Sequence, residues 1–584
     1  MIHRKNVIHQ KSACYLLIAA SIVLVYAHTL RAPFIHDDVG AIVENTHIRS
    51  LLPLSRSLTA PPQSTISGRP VAAGSLALNY TVSRLNPWSY HLVNILIHIA
   101  ATILLFEILR LCLPTQYRSL SLIASLLWAL HPLHTDAVTY TSTRTESLAG
   151  MFFLLAMLSM IRSAAGTHRR TWWTIGITST VLAMGSKETA VVIPPVILLA
   201  DRVFLSHSWK TVMQHRGSFH RIMIVTWIVP AYLIAGGPRS ETVGFHFADL
   251  TALDYLRTQA GVIFHYLKLA VYPYPLVLDY ADWPVAHAFT VPNVIGLLVL
   301  AISAGIAIVK SVSGSKTAFL GVWFFATLAP SSSIVPIVSE IAAERRMYLP
   351  LIAVILLTGT VLCRWEVLFP NNHLRRSVIG AAFLLCILAG AATYQRNMAY
   401  ASDVSIWEDT VAKRPANARA HANLAAAYLN RGRTDDAASH LKKALQLDSG
   451  IGSGDGPLQN ETLKSMENLG LLYLDTDRID EGIRLLETCV EYRPDDAVTR
   501  LNLARGYLVS GTMDKAAGQV AQAVALAPDN PVARIRYAQI LAAAGKLAEA
   551  KRHARKAAEL APHDPSIQKT ARNIMNLDTP STSP

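Results

Sequence analysis

The 584-residue chain is poor in cysteine and poor in charge, and each shortage closes off a class of protein. Its five cysteines, Cys14, Cys112, Cys363, Cys386 and Cys489, show no paired spacing and no Cys-x-x-Cys, so neither a disulfide framework nor a zinc site is indicated. Charged side chains make up 16% of the sequence against 52% hydrophobic, a balance wrong for an all-soluble chain. There is no Walker loop, no Gly-x-Gly-x-x-Gly on a strand and no nucleophile elbow, so soluble nucleotide chemistry is not visible. The formal charge of +14 invites a nucleic-acid reading, yet residues 395–584 hold 24 basic and 23 acidic side chains. The positive excess sits on short loops between apolar blocks, the trace of the positive-inside rule rather than of a basic stripe, and no nucleic-acid partner is expected.

What the chain does have is apolar blocks of roughly 17–22 residues up to about Tyr394, each long enough to cross a hydrocarbon core as helix. Eleven spans are expected, near 13–30, 91–110, 119–131, 147–161, 171–186, 189–205, 222–236, 291–309, 317–337, 347–363 and 377–394. Arg4, Lys5 and Lys11 precede the first, and Leu30-Arg31-Ala32-Pro33 follows it where a signal peptide would want small residues. The first helix therefore reads as uncleaved, with its N-terminus inside. Alternation then puts the loops richer in Lys and Arg inside and the C-terminal third outside the cytoplasm. Residues 255–272 are apolar on one side but carry Arg257, His265 and Lys268, and read as an interfacial helix. The acids Asp37, Asp38, Glu44, Asp136, Glu146, Glu188, Asp249, Asp279, Asp282, Glu340 and Glu344 fall on outer loops or outer helix ends, where charge costs free energy unless paired or wetted.

From residue 417 a pattern recurs: Asn423-Leu-Ala-Ala-Ala-Tyr, Asn468-Leu-Gly-Leu-Leu-Tyr, Asn502-Leu-Ala-Arg-Gly-Tyr and Arg536-Tyr-Ala-Gln-Ile-Leu. The last three are 34 residues apart, as are Pro494, Pro528 and Pro562. That period is the tetratricopeptide signature, and about four stacked units form a continuous core with a groove suited to a peptide or partner protein. The fold class is all-α, a polytopic helical membrane domain followed by an α-solenoid. The expected divisions are 1–394 for the membrane domain, 395–416 for a connecting helix, 417–564 for the repeats with a turn-rich insertion near 449–460, and 565–584 for a C-terminal tail.

Several short motifs on the outer side can carry chemistry. Asp37-Asp38, just past the first span, could supply a general base and a partner for a donor group or a divalent cation, or could simply cap a helix. His131-Pro-Leu-His134 lies near Asp136, with Arg144 and Glu146 following; it suits hydrogen bonding to a sugar or phosphate better than a metal, since no third ligand is fixed. Arg69 lies within the first outer loop, in Gly68-Arg69-Pro70, and the pair Lys187-Glu188 stands at the outer mouth of a span. Glu344-Arg345-Arg346-Met-Tyr348 presents two guanidiniums suited to bidentate phosphate binding, or a salt-bridged helix start with Glu340 or Glu344.

In order along the chain, Asp37-Asp38, Arg69-Pro70, Asn86-Pro87 through Tyr90-His91-Leu92-Val93-Asn94, His131-Pro132-x-His134, Lys187-Glu188, Pro275-Leu276-x-Leu278-Asp279-Tyr280, Ala329-Pro330, Glu344-Arg345-Arg346-x-Tyr348-Leu349-Pro350 and Tyr394-Gln395-Arg396-Asn397 resemble the transmembrane and tetratricopeptide repeat-containing O-mannosyltransferases and their bacterial relatives. The resemblance implies a GT-C membrane fold that moves a sugar, with mannose expected, from a polyprenyl phosphate to a protein Ser or Thr hydroxyl on the extracytoplasmic side, the repeats presenting the acceptor protein. It implies Asp37 and Asp38 as catalytic, with Asp38 favoured as base. Arg69, His131, His134, Arg144, Glu146, Lys187, Glu188, Glu344, Arg345, Arg346 and Tyr348 are the candidates for donor and substrate binding. The bacterial inner membrane is the expected location, or the endoplasmic reticulum membrane in a eukaryote. A membrane-anchored repeat scaffold for envelope assembly and a polysaccharide polymerase or ligase are the alternatives in other classes.

Overall fold

Long apolar runs give long helices, and the first 400 residues are built from them. The computed structural model describes residues 2–61, 64–114, 118–236, 243–245, 250–368, 372–449 and 460–577. Among the described residues, seven helices are long and apolar enough to cross a membrane: Lys11–Arg31, Trp88–Cys112, Thr141–Ala164, Glu188–Ser206, Trp209–Ala235, Val291–Val312 and Ser377–Ala401. Leu120–Ala129, Lys316–Leu328 and Pro350–Val361 are apolar but shorter. The expected count of eleven is corrected accordingly. Each expected span is helical, but three fall short in length, and the helix Arg169–Ser186, with its arginines, threonines and serines, falls short in apolar character.

The interfacial expectation for 255–272 lands on a helix, Ala252–Val271, started by a reciprocal Thr251–Asp254 capping box. It is not among the seven; Lys268 is exposed, while Arg257, Gln259 and Tyr266 turn inward. Tyr266 Oη accepts the Ala343 amide at 2.8 Å, Gln259 donates to the Ile341 carbonyl at 2.9 Å, and Arg257 pairs with Asp254 at 2.7 Å. This helix is the wall against which residues 340–347 are held.

The chain divides into two compact units, 1–414 and 415–584. Asp403–Lys413, at the expected connecting helix, belongs to the first: Lys413 donates to the Leu276 carbonyl at 2.9 Å and Arg414 pairs with Asp282 at 2.5 Å.

The second unit is a stack of helical hairpins. Four helices of this unit start two residues past a proline, at an Asx side chain that accepts amide hydrogens of the opening turn: Asn417, Asp496, Asn530 and Asp564. The hairpin turns need a left-handed residue, supplied by Gly432, Gly511 and Gly545, and by Asp477 in the second repeat. Small residues let the paired helices approach closely; a Cβ on Gly482 would stand 2.7 Å from the Gly470 carbonyl oxygen. Beyond Asp564 the segment expected as a tail forms a further helix, Pro565–Met575, whose Ile567, Ala571 and Ile574 complete the last core cluster. The insertion near 449–460 and Asp249 fall outside the described residues over 450–459 and at 249.

Candidate active site

Past the first span the backbone takes a left-handed step at His36, with φ of 43°. That step closes a tight turn in which Asp38 Oδ2 accepts the Ile35 amide at 3.2 Å while the Asp38 amide donates to the Ile35 carbonyl at 2.8 Å. The other carboxylate oxygen, Oδ1, accepts the Ser142 amide at 2.6 Å. Asp38 is 1% exposed, and burial pushes its carboxyl up to about 7 against the pull of the two amides. It clasps the first outer loop to the Thr141–Thr143 turn. Asp37 is held differently. Its backbone amide donates to Tyr140 Oη at 2.8 Å, while its carboxylate stays 27% exposed, 3.6 Å from His36 Nε2. The His36 ring meets Trp407 edge-to-face at 5.2 Å.

Arg345 joins this group from far along the chain. Its backbone amide and Nη1 both reach Asp136 Oδ2 at 3.1 Å, and Nη2 pairs with Glu340. Burial opposes its charge, but Glu340, Asp136, Tyr140 and Asp37 together hold the proton well above the usual guanidinium range. Asp37, Tyr140, Asp136, Arg345 and Glu340 are thus one electrostatic cluster. Tyr140 was missed as a site residue in the sequence reading; its position four residues after Asp136 is the signal that could have found it.

A second cluster gathers four more candidates. Arg69 Nε and Nη2 grip Glu188 at 3.1 and 2.8 Å, with Nη1 on the Thr65 carbonyl at 2.9 Å, and Lys187 pairs with Glu146. These pairs tie the start of Pro70–Ser83 to the ends of Arg169–Ser186 and Arg144–Ala164.

The remaining candidates are engaged with partners inside the fold. Arg346 spends its guanidinium on Tyr255 Oη at 3.3 Å and on the carbonyls of Ser331, Ile341 and Glu340. Arg144, 1% exposed, donates to Asn94 at 2.6 Å, Asn79 at 2.5 Å and the Tyr90 carbonyl at 2.7 Å. Glu344 Oε1 accepts the Val277 amide at 2.6 Å and Tyr280 Oη at 2.8 Å, pinning the Pro275–Tyr280 loop. His131 caps its own short turn through Leu133 N and contacts the Ala270 carbonyl at 3.2 Å. His134 is walled in by His98, Trp128 and Tyr348, with ring centroids 4.7–5.5 Å away. Tyr348 is spent on that packing and on His98 Nδ1 at 3.0 Å.

A profile described as dolichyl-phosphate-mannose-protein mannosyltransferase matches residues 67–234, and tetratricopeptide profiles match 418–451, 468–531 and 510–574. The human protein O-mannosyl-transferase TMTC1 is 26% identical over 519 residues, 79% of this chain and 57% of its own length. The Caenorhabditis elegans protein O-mannosyl-transferase F38B6.6 is 26% identical over 459 residues, 74% of this chain and 62% of its own. The mouse protein O-mannosyl-transferase TMTC2 is 36% identical over 200 residues, 32% of this chain and 23% of its own. The chain is thus similar to protein O-mannosyl-transferases over about three-quarters of its length. It spans about six-tenths of the length of the first two of these relatives.

The segment matched by the mannosyltransferase profile takes in Arg69, Asp136, Tyr140, Glu146, Lys187 and Glu188, while Asp37, Asp38 and Arg345 lie outside it. A divalent cation, one of the options weighed for the Asp pair, does not fit the donor set. Asp38 turns both oxygens onto amide hydrogens, so Asp37 has no second carboxylate to share an ion with. No group of three His, Cys, Asp or Glu side chains among the described residues could hold one.

Proposed function

We propose that the protein transfers mannose from a polyprenyl-phosphate donor to a Ser or Thr hydroxyl of an acceptor protein, at the membrane face where the first loop emerges. The observation that carries this is Asp37: a half-buried but accessible carboxylate fixed through its own backbone to Tyr140, within the field of Arg345, beyond the outer end of the first apolar helix. In the reaction the hydroxyl oxygen bonds to the anomeric carbon as the bond from that carbon to the phosphate oxygen breaks. The hydroxyl proton passes to Asp37, the phosphate leaves with the bonding electrons, and the anomeric configuration inverts. Asp37 takes the role of base in place of Asp38, because Asp38 is buried and each of its oxygens already holds a backbone amide. Arg345 faces the developing phosphate charge. Its present carboxylate partners, Asp136 and Glu340, keep the guanidinium oriented until a phosphate competes for it. A preorganised cation at that point contributes a few kcal/mol, on the order of the effect of one well-placed oxyanion donor.

The repeats are assigned to the extracytoplasmic side by the charge rule, of a bacterial inner membrane or, in a eukaryote, of the endoplasmic reticulum. Purified protein given radiolabelled polyprenyl-phosphate mannose and Ser/Thr-containing acceptor polypeptides should form an alkali-labile mannosyl product. Transfer only to glycan acceptors would favour a polysaccharide ligase, and no transfer to any acceptor would favour a scaffold.

A further inference from the structure

The repeat unit contains a cleft of about 860 Å³ whose chemistry is not part of the repeat fold. It opens between Thr434–Ser449, the second helix of the first repeat, and the end of Asn460–Asp475, the first helix of the next. Lys442 and Lys443 line it side by side, exposed, and neither is paired with a carboxylate among the described residues. Lys442 Nζ lies 5.8 Å from the centre of the Tyr473 ring, and the Arg478 guanidinium covers the same ring at 3.9 Å. Arg478 has a carboxylate of its own in Glu481, at 2.7 Å, so the unmatched charge belongs to the two lysines. Asp435 is the one acid in the lining.

Two histidines close one end. His421 Nε2 lies 3.1 Å from the Pro415 carbonyl, which can only accept, so that nitrogen carries the hydrogen. His421 Nδ1 must then accept from His440 Nδ1, 2.8 Å away. The pair holds at most one extra proton, because a second would set two N–H groups against each other.

Stacking the repeats on their buried small residues, Ala437, Gly482, Ala516 and Ala550, sets Lys442-Lys443 against Glu487-Thr488, Ala521-Gln522 and Arg555-Lys556. Lys556 of the last pair is matched by Glu559 at 3.2 Å. Two adjacent unmatched lysines are therefore a property of the first cleft and not a requirement of hairpin stacking. The helix gains nothing from the pair, since side chains one residue apart on a helix do not face each other.

We infer that this cleft binds an acidic stretch of a partner polypeptide. Glu or Asp carboxylates would meet the two ammonium groups, backbone amides would meet Ser439, Thr434, Thr476 and Gln446, and one side chain would rest on Leu472. This recognition is independent of the transfer chemistry proposed above. The test uses the full-length protein in an uncharged detergent and two fluorescein-labelled decapeptides, one of alternating Glu and Ser and one of alternating Gln and Ser, read by anisotropy. The Glu peptide should bind at least ten-fold tighter than the Gln peptide, and the difference should shrink as salt is raised. The doubly substituted Lys442→Glu, Lys443→Glu protein should lose that preference while melting as the parent does, both side chains being exposed. Equal binding of the two peptides would overturn the inference. So would an undiminished preference in the double variant, or capture of anionic lipid vesicles in preference to the Glu peptide.

Discussion

Asp38 should be an anchor whose loss loosens two loops at once, and Asp38→Asn isolates that role. The two carboxylate oxygens each accept one buried amide hydrogen, from Ile35 at 3.2 Å and from Ser142 at 2.6 Å. An asparagine keeps the shape but replaces one oxygen with an NH2 group, so whichever way the amide turns, one backbone N–H faces another donor. Leaving a buried donor unmet costs about 1–3 kcal/mol, and each 1.4 kcal/mol is a factor of ten in an opening equilibrium. Local opening of the loops should rise roughly five- to 150-fold. Hydrogen exchange read by mass spectrometry would follow peptides covering residues 33–45 and 139–146. Both should exchange faster in Asp38→Asn, and neither should change in Asp37→Asn, because Asp37 holds Tyr140 through its backbone amide and not through its carboxylate. Unchanged exchange in Asp38→Asn would refute the anchor and return Asp38 to candidacy as the base.

Burial lifts the Glu344 carboxyl to about 7, so the stability it lends is complete below the ordinary carboxyl range and is lost as pH rises through 7. Glu344→Gln keeps an oxygen for Val277 and Tyr280, so its melting temperature in detergent should gain on the parent's as pH climbs from about 5 to about 8; parallel curves would contradict this. Arg346→Ala strips a donor from three carbonyls and should lower the melting temperature and the yield of inserted protein, whereas Arg345→Lys keeps a charge against Asp136, melts near the parent and transfers at least ten-fold more slowly for want of the fork; thermal melts beside transfer rates would expose the reverse pattern.

Periodicity carried the architecture. A 34-residue spacing is local information, and so is an apolar run of membrane length, which is why the repeat hairpins and the long helices were legible. The Pro565 helix was legible too in principle: Asp564 two residues after Pro562 repeats the start signal of Asn417, Asp496 and Asn530, but the absence of a following hydrophobic hairpin partner hid it. The site was half legible. That acids and arginines meet at the outer ends of helices follows from the cost of leaving them in lipid. Which of two neighbours does chemistry does not follow, because it depends on partners far along the chain. Arg345 and Arg346 sit on one turn of 3-10 helix, and one faces Asp136, 209 residues away, while the other is swallowed by carbonyls and Tyr255, 91 residues away. The Glu340 salt bridge weighed for this turn as an alternative to phosphate binding is present on Arg345. His134 reads as a hydrogen-bonding partner for a sugar or phosphate; its enclosure by His98, Trp128 and Tyr348 is a tertiary fact with no local mark.

The central claim is that Asp37 takes the proton of the acceptor hydroxyl, and the single-turnover rate of mannosyl transfer in Asp37→Asn tests it most directly. The substitution preserves shape and the backbone bond to Tyr140 but removes the basicity. The rate should fall by about 10²–10⁴, with donor binding and the melting temperature unchanged. An Asp37→Asn protein that transfers mannose at the parental rate would contradict the account.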